Sequence, residues 1–408
     1  ALTLALVMSL SLVACGDKKT DDTKTDEPDQ KTEQPAENEG AYKVAMITDY
    51  GDITDQSFNQ TTYEACKAFA EDNGVEFSYF KPAGDNTADR VAMIEKAADE
   101  GYNVIVMPGY AFGGAIVEAA PEFPDVKFIA LDVAAGDLLE TAVANAGESY
   151  DYNPSNWDLN KYVDMSNVYC AVYQEELCGY MAGYAAVKLG YKNLGFLGGM
   201  AVPAVVRYGY GFVQGVDAAA ADLGLTDVSL NYVYGGQFFG DADITAVMDT
   251  WYAGGTEVVF ACGGGIYTSA VDAAKKADAK VIGVDVDQAG VIANYAETEG
   301  MTITSAMKGL YPTTYDTLSD VILNDNWSKY AGQIATLGLV SADDPEANYV
   351  QIPMGEGTQW SDSFTQDDYK AMVKDMFDGK ITVSNDVSKA PSDFATVIAV
   401  EDQGAIKG

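Results

Sequence analysis

The chain has 408 residues, enough for two ordinary domains with a large buried core. It carries 62 acidic against 24 basic residues, and the resulting net charge of −38 repels nucleic acid and phosphorylated molecules at long range. Histidine is absent, which excludes Ser-His-Asp and Cys-His catalysis and His-ligated metal sites.

Residues 2–14, LTLALVMSLSLVA, form an apolar run. It is too short to span a bilayer as a helix, which takes about 20 residues, but it has the length of a signal-peptide core. No basic stretch or initiator Met precedes it, as expected of a sequence that begins inside its signal. Leu12-Val13-Ala14-Cys15 resembles a bacterial lipobox, where the signal is cut before a cysteine that becomes lipidated. Cys15 is therefore the expected anchor to the extracytoplasmic face of a bacterial cell membrane. Residues 16–41 are rich in Asp, Glu, Lys, Thr and Pro. Such a tract cannot bury enough apolar surface to offset its ordering entropy and reads as a disordered acidic linker. Cys66, Cys170, Cys178 and Cys262 form no CxxC pair. They read as small core residues, with disulfides left open.

From residue 42 short apolar runs alternate with longer segments of helical period. Strands are expected over 43–48, 75–80, 103–107 and 127–131, with helices over 57–72, 87–100 and 113–120. The first helix places Tyr63, Cys66, Phe69 and Ala70 on one face, and Ser57 with Gln60 fits a capping box. A second series has strands over 168–172, 193–197, 228–233, 258–261 and 281–284. This alternation implies parallel sheets built from βαβ units. Two series separated by the loop 145–164 imply two lobes: 42–165, completed by about 287–325, and 166–286, completed by about 326–400. The chain is expected to cross between them more than once.

Ligands of open α/β sheets bind beyond the carboxyl ends of the strands. In the first series those positions are DYGDITDQSFN (49–59), PGYAF (108–112) and Asp132; in the second, GGM (198–200), YGGQFF (234–239), GGG (263–265) and DVDQ (285–288). Carboxylates, aromatic rings and bare glycine backbone concentrate there. Asp49, Asp52 and Asp55 also fit loop and helix-cap roles, and fall short of an EF-hand calcium loop. Neither GxxxxGKS/T nor a GxGxxG opening a βαβ unit is present, so no nucleotide cofactor is expected, and no metal.

These segments resemble the basic-membrane-protein family of ABC-transporter lipoproteins, which bind purine nucleosides. The resemblance rests on TDYGDITDQSFNQTTYEA (48–65), on Tyr173-Gln174-Glu175-Glu176 with Gly179 and Gly183, and on GFLGGMAVPAVVRYGYGF (195–212). It continues through FACGGG (260–265), IGVDVDQ (282–288) and TSAMK (304–308), spanning roughly residues 42–325. Residues 348–362 carry no motif that fits. The resemblance implies a two-lobed type I periplasmic-binding-protein fold, each lobe a parallel sheet flanked by helices, closing on a nucleoside in the interlobe cleft. It further implies ring stacking by Phe58 and by Phe238 or Phe239. Polar contacts would come from Asp49, Asn59, Asp132, Asp285 and Lys308, with backbone from Gly264. ABC permease and ATPase subunits are the implied partners, and a monomer is expected.

The chemistry of those side chains agrees. Two opposed rings can sandwich a base, and an ionised Asp accepts from both hydroxyls of a ribose. Asn59 suits a purine edge, and buried carboxylates oppose a phosphate. A receptor for a sugar, a purine base or another small polar metabolite draws on the same residues, as does a surface sensor without a transport role. A calcium-dependent nucleoside hydrolase would need a dense Asp cluster, of which only Asp285 and Asp287 give a hint. No enzymatic activity is expected.

Overall fold

In β1 (Lys43–Ile47) Val44 and Met46 face one side of a sheet while Ala45 and Ile47 face the other, and all four are fully buried. A strand buried on both faces belongs in a parallel sheet covered by helices. The computed structural model, which describes residues 41–407, builds two such sheets. The lipobox, Cys15 and nearly all of the acidic linker lie outside the described residues.

After β1 come α1 (Phe58–Asn73), β2 (Glu76–Phe80), α2 (Thr87–Asp99), β3 (Val104–Pro108), α3 (Phe112–Ala119), β4 (Lys127–Leu131), α4 (Ala135–Asn145) and β5 (Val168–Tyr173). Next are α5 (Glu175–Lys188), β6 (Asn193–Gly198), α6 (Pro203–Leu223), β7 (Ser229–Tyr234), α7 (Ala242–Ala253), β8 (Val258–Cys262), α8 (Tyr267–Ala277), β9 (Lys280–Asp285), α9 (Ala289–Ala296) and β10 (Thr302–Lys308). The chain continues with α10 (Leu310–Ile322), β11 (Ile334–Leu337), β12 (Val350–Gln351), α11 (Gln366–Phe377) and β13 (Ala399–Ala405). The first sheet has the order β11-β5-β4-β3-β1-β2 and the second β12-β10-β9-β8-β6-β7-β13. Every pairing is parallel except that of β10 with β12. The protein thus has the expected α/β class, with two parallel-dominated sheets flanked by helices.

The lobe boundary differs from the one expected. β5, expected to open the second lobe, hydrogen-bonds to β4 and β11 in the first sheet. The long loop before it is an excursion inside the first lobe, not a linker. Conversely, β10, within the segment 287–325 expected to complete the first lobe, pairs with β9 in the second sheet, and β11, within the segment 326–400 expected in the second lobe, lies in the first sheet. After β10 the chain does return to the first lobe: Phe69 of α1 meets Tyr315 of α10 edge-on, and the Tyr315 hydroxyl donates to Asp72 at 2.8 Å. Crossings therefore fall after β5, β10 and β11. They run side by side, tied by Gln174 N–H to the Leu337 carbonyl (2.9 Å), Gly309 N–H to Tyr349 (2.7 Å) and Tyr349 N–H to Gly338 (3.0 Å). The unplaced segment 348–362 begins at this crossing and then lines β10, where Gln359 N–H donates to the Ile303 carbonyl at 2.8 Å.

One apolar core runs through both lobes, and separate cores fill the outer face of each sheet. Cys66, Cys170, Cys178 and Cys262 are buried free thiols. Within the shared core α5 and α6 approach backbone to backbone. A β-carbon on Gly179 or Gly183 would fall closer than 3.0 Å to α6 carbonyl oxygens, and one on Gly211 or Gly215 equally close to α5 carbonyls. The glycines of each helix thus admit the backbone of the other, and this sets the first turn of α5 beside α6 at the cleft. Gly211→Ala and Gly215→Ala are each expected to cost about 1–3 kcal/mol through overpacking. Chemical denaturation checks this, and midpoints equal to that of the parent would refute the tight contact.

Candidate functional site

The carboxyl ends of both sheets converge on a cavity of about 430 Å³ between the lobes. Asp49, Phe58, Asn59 and Asp132 reach it from the first lobe, and Phe238, Phe239, Gly264, Asp285 and Lys308 from the second. All nine sequence-predicted positions therefore meet on one lining.

The first wall is the start of α1. Asp55 caps this helix: its carboxylate accepts from the N–H groups of Ser57 (3.0 Å), Asn59 (2.9 Å) and Gln60 (3.0 Å). Ser57, expected as the cap, makes no side-chain cap bond. Its hydroxyl crosses the cleft and donates to Asp285 Oδ2 at 2.5 Å. The carboxylate two residues earlier outcompetes it, because it can take several orphan N–H groups at once. Asn59 Nδ2 donates to both Asp49 Oδ1 (3.2 Å) and Asp55 Oδ2 (3.1 Å). Carboxylates only accept, so they hold the NH₂ end, and Asn59 Oδ1 is left buried without a partner at the cavity. Burial raises the pKa of Asp49, against the opposing N–H bonds from Gly51, Tyr50 and Asn59.

Lys308 is the centre of the second wall. It is 6% exposed, and its ammonium lies 2.5 Å from Asp132 Oδ2, 3.4 Å from Glu175 Oε1 and 3.8 Å from Asp285 Oδ1. Burial works against its charge, but Asp132, Asp285 and Glu175 outweigh burial and hold its pKa above the ordinary lysine value. The Phe58 ring centroid lies 4.8 Å from the same ammonium, a cation–π contact. Burial likewise pushes the Asp285 carboxyl up, with Lys308 and the hydroxyls of Ser57 and Tyr208 opposing it. Asp132, directly after β4, and Asp285, the last residue of β9, take left-handed backbone, with φ of 60° and 65°. Such conformations cluster at functional sites. Asp132 Oδ1 is buried and unpartnered.

The two adjacent phenylalanines differ. Phe238 is half-buried, its ring set against the bare backbone of Gly199 and Gly263. Phe239 lines the cavity and is 56% exposed. Gly264, with φ of 49°, lies beneath them near the Phe238 carbonyl. Further ties cross the cleft: Gln288 Nε2 donates to the Gln56 carbonyl at 3.1 Å, and the hydroxyls of Tyr50 and Tyr110 meet Met200 Sδ at 3.7 and 3.9 Å.

Sequence reading missed several participants. Glu175 is fully buried and takes Arg207 Nε at 2.7 Å as well as Lys308. The available signal was an acidic pair opening an apolar helix and a single arginine within another, in a chain poor in basic residues. Asp137, also in the lining, accepts from Ala134 N–H at 2.7 Å. Among the described residues no group of three or more His, Cys, Asp or Glu could hold a metal ion, and no helix is long and apolar enough to cross a membrane.

Residues 42–344 match the Bmp family, described as ABC transporter substrate-binding protein PnrA-like. The ABC transporter nucleoside-binding protein BmpA of Lactococcus lactis subsp. cremoris is 24% identical over 355 residues, 84% of this chain and 88% of that one. An uncharacterized lipoprotein of Pyrococcus abyssi is 25% identical over 311 residues, covering 73% and 67%. The solute-binding protein of an ABC transporter system from Aeropyrum pernix aligns with a TM-score of 0.60 at 20% identity, covering 86% of this chain and 90% of that one. The chain belongs to the Bmp family of ABC-transporter substrate-binding proteins.

Asp137 supplies a pH test. Burial, with Asp132 and Glu140 nearby, pushes its carboxyl up to about 7 from 3.8, against the Ala134 N–H bond and Arg207. The folded state keeps a proton that the unfolded chain has lost, so this group's contribution to stability falls as pH rises from 3.8 to 7. Asp137→Asn, which can still accept from Ala134, is expected to add roughly 2–4 kcal/mol at about pH 8 and little near pH 4. Melting temperatures of both proteins across that range check it; parallel profiles would refute it.

Proposed function

We propose that the protein is a lipid-anchored extracytoplasmic receptor that binds purine nucleosides between its lobes and hands them to the permease of an ABC importer. One observation carries this reading. The cleft between the lobes presents an aromatic ring from each lobe together with buried acceptors, Asp132 Oδ1 and Asn59 Oδ1, that have no partner of their own. A buried acceptor left unpaired costs about 1–3 kcal/mol, which a ligand donor recovers. Ribose hydroxyls answer Asp132 and Asp285, and the N–H edge of a base answers Asn59 and Asp49. Phe58 and Phe239 supply the stacking faces. Phe239 is preferred over Phe238 because the Phe238 ring is already committed to Gly199 and Gly263.

The charge of the lining supports a nucleoside over a nucleotide. Lys81, Arg207 and Lys308 are its cations, and each already faces a carboxylate: Asp52, Glu175 and Asp132. No basic group is left to meet a phosphate. Cys15, within a lipobox-like sequence, is the proposed anchor, in keeping with relatives named as lipoproteins. Lobe closure couples ligand to permease, because the cross-cleft bonds of Ser57 and Gln288 exist only when the lobes meet.

Calorimetry on ligand-stripped protein tests the reading. Guanosine and inosine, which carry a ring N–H for the Asn59 acceptor, are expected to bind more tightly than adenosine, and cytidine least. Phe58→Ala and Phe239→Ala are expected to weaken binding about 10-fold or more, at roughly 1–3 kcal/mol per stacked ring, and Phe238→Ala less. No heat with any of the four nucleosides would overturn the proposal, and heat with free sugars instead would assign the site to a sugar.

A further inference from the structure

The segment after α11 lies beyond residues 42–344, which the family model matches, and it runs back to the cleft along a row of polar clips. Gln214 of α6 exchanges two bonds with Ser384, at 3.0 and 2.8 Å. The buried carboxylate of Asp217 accepts from the N–H groups of Thr396 (2.8 Å), Val397 (2.8 Å) and Ile398 (3.2 Å). β13 then extends the second sheet beside β7, and Ile406 N–H donates to the Tyr234 carbonyl at 2.8 Å. This delivers Lys407 to the loop that follows β7, the loop bearing Phe238 and Phe239.

There the contacts form a chain. The Lys407 ammonium pairs with Asp241 Oδ2, and the same oxygen accepts from Gln237 Nε2 at 2.9 Å. Gln237 Nε2 in turn donates to the Phe239 carbonyl at 2.9 Å. The other Asp241 oxygen caps α7, accepting from Asp243 and Ile244 N–H at 3.0 Å each. The Lys407 carbonyl occupies the place where a side chain at Gly236 would stand, and Gly236 takes the left-handed conformation, with φ of 82°, that leaves this place open. An exposed ring on a connecting loop has few apolar contacts to fix it, so its position depends on such ties.

We propose that residues 384–407 act as a strap that positions the 235–241 loop, with Lys407 as the positioning residue that holds Phe239 toward the cleft. This rests on the reading of the cleft as a nucleoside site only where it concerns affinity; the ordering of the loop is independent of the ligand. Lys407 is a partly exposed surface cation, whose removal costs global stability little.

Hydrogen exchange on the ligand-free protein decides the ordering. Lys407→Ala is expected to speed exchange of the 235–241 amides by about 10-fold, leaving the strands of both sheets unchanged, and Lys407→Arg is expected to restore protection. Unchanged exchange in the loop overturns the proposal, whatever the protein binds. Guanosine calorimetry then reads the consequence. Lys407→Ala is expected to weaken binding about 3- to 10-fold in the parent protein but not further in a Phe239→Ala background, since the lysine acts through that ring. Equal losses in both backgrounds would overturn the assignment to Phe239. Failure of the parent protein itself to bind guanosine, inosine or adenosine would overturn the nucleoside reading instead, with the exchange result still deciding the strap.

Discussion

The buried ammonium of Lys308 is the interaction on which the site depends. Three carboxylates from three separate elements, Asp132 after β4, Glu175 at the start of α5 and Asp285 at the end of β9, surround it within 4.0 Å. Without the cation Asp132 and Asp285 would be uncompensated negative charges in a buried cleft, a cost of several kcal/mol each, and Glu175 would keep only Arg207. With it they are held in place and still acceptor-rich. A carboxylate offers about four acceptor positions, and one ammonium contact leaves the others open for hydroxyl donors. The cation also faces the Phe58 ring, so the electrostatic centre and the stacking surface fix one another's place.

That centre is where the lobes are joined. Asp132 belongs to the first sheet, Lys308 and Asp285 to the second, and Lys308 is the last residue of β10, directly before one of the three crossings. The three crossings beside it are hydrogen-bonded to one another, through Gln174 with Leu337, Gly309 with Tyr349 and Tyr349 with Gly338. The glycine-lined contact of α5 with α6 sets Glu175 and Arg207 side by side in one wall of the cavity.

Much of this was legible in the residue order. The alternation of Val44, Ala45, Met46 and Ile47 announces a strand buried on both faces, and the strands expected in the two series agree with β1 to β9 to within a residue or two at each end. The rule that open sheets bind beyond their strand ends, joined to the family resemblance, gathered all nine proposed contacts onto one lining. Ser57 shows the limit. A capping role follows from its local spacing, but Asp55 outcompetes it for the helix N–H groups, and Ser57 turns to a residue 228 positions away. Likewise nothing local distinguishes Phe238 from Phe239. Their difference comes from two glycines, on β6–α6 and β8–α8 loops, that accept one ring and not the other.

The sequence by itself determined the class of the fold, the strands from β1 to β9, the absence of histidine chemistry and the family, because these depend on periodicity, composition and collinear motifs. Only the tertiary structure decided which strand joins which sheet. β5 reads as an ordinary apolar strand of the second series, and nothing in the sequence assigns 302–308 or 334–337 to one sheet or the other; sheet membership is settled by hydrogen-bonding edges supplied from distant parts of the chain. The same holds for the strap at residues 384–407, whose polar sequence carries no motif. It acquires meaning because Asp217, Tyr234 and Asp241 are presented to it along one side of the second lobe.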